Sequence, residues 1–160
     1  MVRDERGIRI TDLGIGSIHD LLQTSKDAIR AYRIPIRAAR WYPTESRLAY
    51  SMMTSRLHQG HPDICFGGFM DVALHTVTGV AASIRARGAW GKPVLAQVLV
   101  VLYKRPVPVN HRITVEAVTR LLPFHRSISF GKILDGQNSE KILSRGIMWL
   151  VAVDRVRTQR

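Results

Sequence analysis

Asp71 and His75 are the residues of this chain best suited to acid–base chemistry. They stand four apart, the spacing at which two side chains neighbour each other one turn along a helix. A neutral imidazole near pH 7 can activate water, and a carboxylate one turn away orients the ring and favours its charged form. The same spacing also suits a polar i,i+4 contact at a subunit interface, and it does not choose between the two. Gly67 and Gly68 come just before this pair. At a helix start, two glycines let the backbone approach a ligand and leave N–H donors at the positive end of the dipole. Such donors can hold a carbonyl oxygen or an oxyanion. Two glycines equally serve any tight turn into a helix. Lys104 and Arg105 are candidates for phosphate, or a solvated strand end. His58 and His61 lie three apart with Asp63 as the one close carboxylate, a poor ligand set, so no metal is expected. Cys65 sits beside the helix start, where a thiolate is favoured, but as a lone cysteine it reads as packing.

The elements that must position these residues follow from hydrophobic periodicity. Phe69, Met70, Ala73, Leu74, Val77, Val80, Ala81 and Ile84 form one apolar stripe on a helix spanning residues 68–84. Asp71, Val72, His75, Thr78, Gly79 and Ala82 share the opposite face, which is small and polar instead of charged. A helix of this kind is enclosed on both sides. Upstream, residues 1–15 read as a mixed-charge arm and 17–32 as an amphipathic helix ended by Pro35. Residues 47–57 alternate as a strand, and 58–68, with Pro62 and three glycines, read as a loop. Residues 94–103 are nearly all apolar, as in a strand buried on both faces. Strands at 112–120, 126–134 and 141–153 follow, the last two joined by the turn Asp135-Gly136-Gln137-Asn138. This order predicts an α+β domain: four strands in a meander after one long helix packed on an antiparallel sheet.

Length and composition agree. The chain has 160 residues, of which 46% are hydrophobic, which suits one domain over residues 1–160 with a true core. No apolar run reaches about 18 residues, so no membrane span is expected. The first twenty residues hold Arg3, Asp4, Glu5, Arg6 and Arg9 and no apolar segment of signal-peptide type, and one cysteine forms no internal disulfide; a reducing cytoplasm is the expected compartment. Twenty-four Lys and Arg against twelve Asp and Glu give a net charge of +12. That surface attracts polyanions: nucleic acid, anionic lipid or phosphorylated cofactors. The basic residues are scattered, without an aromatic nucleic-acid-binding strand or zinc spacing, so nucleic acid is the weaker expectation.

Two stretches carry a more specific message. His58-Gln59-Gly60-His61-Pro62-Asp63-Ile64-Cys65-Phe66-Gly67-Gly68 resembles the loop that opens the helix in the phenylacetate-pathway and 4-hydroxybenzoyl-CoA thioesterases, where an aromatic-Gln-Gly run leads through Pro-Gly to His-Gly-Gly. Tyr103-Lys104-Arg105-Pro106-Val107-Pro108 resembles that family's Tyr-x-Arg-Pro-x-Pro stretch, and Arg126 stands where the family often opens the next strand with Arg. The resemblance covers roughly residues 45–153, with residues 1–40 as an added arm and helix.

It implies a hotdog fold, an antiparallel sheet wrapped around one long central helix. It also implies an acyl-CoA thioesterase in which water attacks a carbonyl held by the Gly67–Gly68 backbone, with His75 or Asp71 as base. Tyr103, Lys104, Arg105 and Arg126 would take coenzyme A, here part of the substrate, and no separate cofactor is implied. A homodimer, or a dimer of dimers, would complete the site. The departures are specific. The family's His before Gly-Gly is Phe66, its helical acid is His75, and a Thr or Ser at the next strand falls near Ala96. They keep two rivals in view: an acyl-CoA-binding or interaction protein without turnover, and a hotdog hydratase or dehydratase.

Overall fold

The computed structural model of the protein describes residues 7–13 and 26–154. Its elements in chain order are β1 (Ile8–Arg9), α1 (Lys26–Ala31), β2 (Arg40–Tyr42), β3 (Arg47–Met53), β4 (Gln59–His61), β5 (Ile64–Cys65), α2 (Gly67–Trp90), β6 (Val94–Tyr103), β7 (Arg112–Leu122), β8 (Arg126–Asp135) and β9 (Ile142–Ala152). The expected α+β plan is present. A seven-stranded sheet runs β1-β2-β3-β7-β8-β9-β6, with every neighbouring pair antiparallel. The helix expected over 17–32 is seen as α1, and its earlier part lies outside the described residues.

The long helix α2 packs along one face of this sheet. All eight residues of the expected stripe are buried, and each large one contributes roughly 1.5–3 kcal/mol by leaving water. Thr76, Thr78, Ala82, Ser83 and Ala86 are buried as well, so α2 is enclosed nearly all round. It runs six residues beyond the expected end, because the one interior glycine there, Gly88, costs only about 1 kcal/mol and no proline comes before Pro93. Gly91 ends it in the left-handed region at φ 64°, donating its N–H to the Arg87 carbonyl at 2.9 Å. Opposite α2, Gly131 on β8 and Gly146 on β9 stand in direct register. Leu74 fills the space that two side chains would otherwise take. On β7, Ile113, Val115 and Ala117 point to the core as their alternation requires.

The structure corrects three expectations. The last four strands are not a simple meander. β7, β8 and β9 are, but β6 crosses over and docks on the far side of β9 as the edge strand. Consequently β6 is not buried on both faces: Leu95, Val98, Val100 and Leu102 are all more than half exposed. The third concerns the stretch before α2. It is not a plain loop but a 3-10 turn, Arg56–His58, followed by the hairpin β4–β5. Ser55 caps that turn with its hydroxyl, and its own N–H donates to His58 Nδ1 at 3.0 Å.

Candidate functional site

The start of α2 is built to leave donors free. Phe66 is its N-cap and offers no side-chain cap. The Phe66 N–H donates to the His58 carbonyl at 2.9 Å, and that of Cys65 to Val107 at 2.8 Å. Among the described residues, the next two N–H groups, those of Gly67 and Gly68, have no acceptor, as the first turn of a helix dictates. The backbone is crowded there. A Cβ on Gly68 would lie 2.7 Å from the Phe66 ring, and one on Gly67 would lie 3.3 Å from the Tyr103 hydroxyl. Tyr103 therefore leans from the last position of β6 over the helix start.

That hydroxyl donates to Asp71 Oδ1. Asp71 thus has a partner, but it is Tyr103 and not His75. Among the described residues no hydrogen bond joins Asp71 to His75. His75 lies one turn further on the open side of α2, exposed among enclosed neighbours. Partial burial of its ring holds its pKa below the usual histidine value, so it is neutral at neutral pH. Desolvation first, and the bond to Asp71 second, push the Tyr103 phenol up to about 12, which keeps it a donor. Gly79, one further turn along, has nothing within 4 Å of the place a Cβ would take, so the helix surface past His75 is open.

The expected site residues therefore fall into two groups. Gly67, Gly68, Asp71 and Tyr103 meet at the start of α2, beside the edge strand β6, and His75 stands one turn past Asp71, about 12 Å along the helix axis from Gly67. Lys104 and Arg105 follow Tyr103 directly. With Asn138, Glu140, Lys141 and Ile142 they line an open cavity of about 400 Å³. Lys141 is tied to Asp135 at 3.1 Å, whereas among the described residues Lys104 and Arg105 have no ion pair. Arg126 stands elsewhere. It pairs with Val151, which pairs with Leu95 near the start of β6. That places it roughly 25 Å from Tyr103 within one chain, at about 3.3 Å per strand residue.

Among the described residues, no group of His, Cys, Asp and Glu could hold a metal. His58 has a structural job: its Nε2–H donates to the Tyr32 carbonyl at 2.8 Å, and its ring stacks on Phe69 at 4.2 Å. Tyr32 in turn meets Phe66 at 5.5 Å, clamping the N-terminal segment onto the start of α2. The Ser55-x-x-His58 spacing is the sequence signal for this role. Cys65 is buried, and its Sγ–H points to the Pro108 carbonyl at 3.6 Å. Burial pushes the thiol up to about 11, against a nucleophilic role.

The architecture has many solved counterparts. Thioesterase HI1161 of Haemophilus influenzae superposes with a TM-score of 0.70, over 91% of this chain and 96% of that one, at 16% identity. The chain has the hotdog fold. The PaaI protein of the phenylacetic acid degradation operon of E. coli superposes with a TM-score of 0.59, at 15% identity over 69% of this chain and 75% of its own. Protein smu.793 of Streptococcus mutans, solved bound to acetyl CoA, gives 0.58 at 6% identity, over 68% of this chain and 82% of that one. No sequence-family model matches the chain, and no curated protein matches it by sequence. The shared property is thus the hotdog framework, on which the residues described above are this chain's own.

Proposed function

We propose that this protein hydrolyses an acyl-CoA thioester at the start of α2, with His75 as the general base. One observation carries the reading. Two unpaired N–H groups, at Gly67 and Gly68, open the helix that carries an exposed, neutral imidazole at His75, with the Tyr103–Asp71 pair between them. The acyl carbonyl would sit on the two N–H donors, which strengthen their hold as the oxygen becomes an oxyanion. Water would attack the carbonyl carbon while His75 takes its proton. The C–S bond would then break, and the imidazolium would return the proton to the coenzyme A thiolate. Asp71, fixed by the Tyr103 phenol, would favour the charged imidazolium across one helical turn. Support for the ligand class comes from hotdog relatives solved with coenzyme A and acetyl CoA.

The working unit in this reading is a homodimer joined along β6. An open edge with Leu95, Val98, Val100 and Leu102 more than half exposed suits an isologous strand pairing. Antiparallel pairing centred near Leu99 would set the Leu95 end of one copy beside the Tyr103 end of the other. Arg126 of the second copy would then approach Tyr103, Lys104 and Arg105, which a single chain keeps apart from it.

The deciding experiment is turnover of a panel of acyl-CoA thioesters by the natural chain and His75→Ala. Thiol release by the former, lowered at least about 100-fold in the latter, is expected, the usual span of general-base catalysis. Equal turnover would remove His75 from the mechanism, and acyl-CoA binding with no turnover by either would favour a binding protein. Val100→Lys should convert the dimer to a monomer in sedimentation and lower turnover with it.

A further inference from the structure

The end of the sheet opposite Lys104 carries a turn that neither the fold nor the proposed reaction requires. β7 and β8 are joined by three residues, Pro123, Phe124 and His125. Phe124 and His125 both adopt left-handed backbone, at φ 60° and φ 53°. Asn and Gly take such positions in hairpins, whereas a bulky aromatic is strained there. The strain is held from both sides. The His125 ring meets Trp90 edge-on at 5.4 Å, and its carbonyl accepts the Ala152 N–H at 2.8 Å.

What this rigid turn presents is the Phe124 ring, 89% exposed, beyond a Leu122 that is itself 38% exposed. The surroundings are cationic. Arg120 and Arg126 are exposed on the same hairpin, and the carboxylate near His125, Asp154, is paired with Lys92 at 2.8 Å. The whole chain carries +12. A fixed aromatic tip flanked by guanidinium groups matches the boundary of an anionic bilayer. There a ring can enter the acyl region while cations meet phosphates, whereas one exposed ring without a neighbouring aromatic platform is a weaker match to stacked bases.

We propose that the turn between β7 and β8 docks the protein on an anionic phospholipid surface, with Phe124 inserted and Arg120 on the headgroups. The docking is peripheral, since among the described residues no helix is long and apolar enough to cross a membrane.

Co-sedimentation of the full chain tests it, using vesicles of phosphatidylcholine alone and vesicles with about one third phosphatidylserine. The natural protein should bind the mixed vesicles, bind the neutral ones at least about tenfold less, and lose binding as salt is raised. Phe124→Asn removes the ring while suiting the left-handed backbone, so its melting temperature should hold or rise as vesicle binding falls at least about tenfold. Arg120→Glu should weaken binding comparably, as a second variant. No binding to anionic vesicles, or equal binding by both variants, would overturn the proposal. So would a smaller oligomer for Phe124→Asn in sedimentation, which would make the tip a contact between copies. Single-stranded RNA that outcompetes the vesicles and still binds Phe124→Asn would do the same.

Discussion

Replacing Gly131 by Ala tests how closely α2 lies on the sheet, and the structure sets the size of the effect. Gly131 faces Gly146 on β9 and Ala117 on β7, so the helix crosses three small residues. A new Cβ would lie 2.8 Å from Thr78 Cγ2 and 3.0 Å from Leu74 Cδ2. Leu74 is wholly buried and has little room to give. Thr78 is pinned, because its hydroxyl donates to the Leu74 carbonyl at 2.6 Å and also lies 3.2 Å from that of His75. Turning it aside would strand a buried hydroxyl, at about 1–3 kcal/mol. The cheaper relief is a lift of the helix, and overpacking of this kind costs typically about 1–3 kcal/mol. At about 2–4 °C per kcal/mol for a chain of this size, a 2 kcal/mol loss lowers the melting temperature by roughly 4–8 °C. Gly146 is the control, since its Cβ would make ordinary contacts at 3.4 Å and 3.5 Å with Leu74. Gly146→Ala should therefore cost much less. Thr78→Ser keeps the hydroxyl and removes the offending methyl, so in the Gly131→Ala background it should recover part of the loss. Urea titrations of the four variants supply the coupling. Unchanged stability in Gly131→Ala, equal losses at the two glycines, or no recovery by Thr78→Ser would each refute the packing argument.

Two further outcomes concern the site. The pKa of His75 is held below the ordinary histidine value by partial burial, so the active neutral form is lost only as pH falls through that lowered value. A kcat/KM profile should accordingly be flat near neutrality with its acid limb below about pH 6.5, and a limb above that would contradict His75 as base. Tyr103→Phe removes the donor to Asp71. A hydrogen bond to a charged group contributes about 1.5–3 kcal/mol when shielded and less at this exposed position, so a fall of about tenfold in kcat with little change in KM is expected. An effect confined to KM would make Tyr103 a substrate-binding residue instead of a positioning one.

The parts of the fold legible in the sequence were those whose partners are local or periodic. The stripe from Phe69 to Ile84 and the alternation of Ile113, Val115 and Ala117 each fix a buried face without reference to the rest of the chain. Within the site, Gly67 and Gly68 could be placed at a helix start, and Asp71 and His75 on one face, for the same reason. The Tyr103–Asp71 bond could not be read, because 32 residues separate its ends and only the crossover of β6 brings them together. The role of His58 was not read either. Its spacing from His61 made only a poor ligand set, and the capping geometry at Ser55 turns its ring inward onto Phe69 and Tyr32.

β6 shows where pattern and coordinates part, and why. Its run from Val94 to Tyr103 has the composition of a strand covered on both sides, yet in one chain it is an edge with four large apolar side chains more than half exposed. Long apolar edges invite pairing with other chains, and proteins that stay single blunt them with charge, proline or bulges. This edge has a bulge between Ala96 and Val98 and then runs to Tyr103 with no charge or proline at all. The composition therefore fits the proposed dimer better than the isolated chain. The proposed β6 dimer accounts for that apolar run, for the separation of Arg126 from Lys104 within one chain, and for the exposure of His75 on an otherwise enclosed helix. If Val100→Lys left the protein dimeric and active, all three would need another cause.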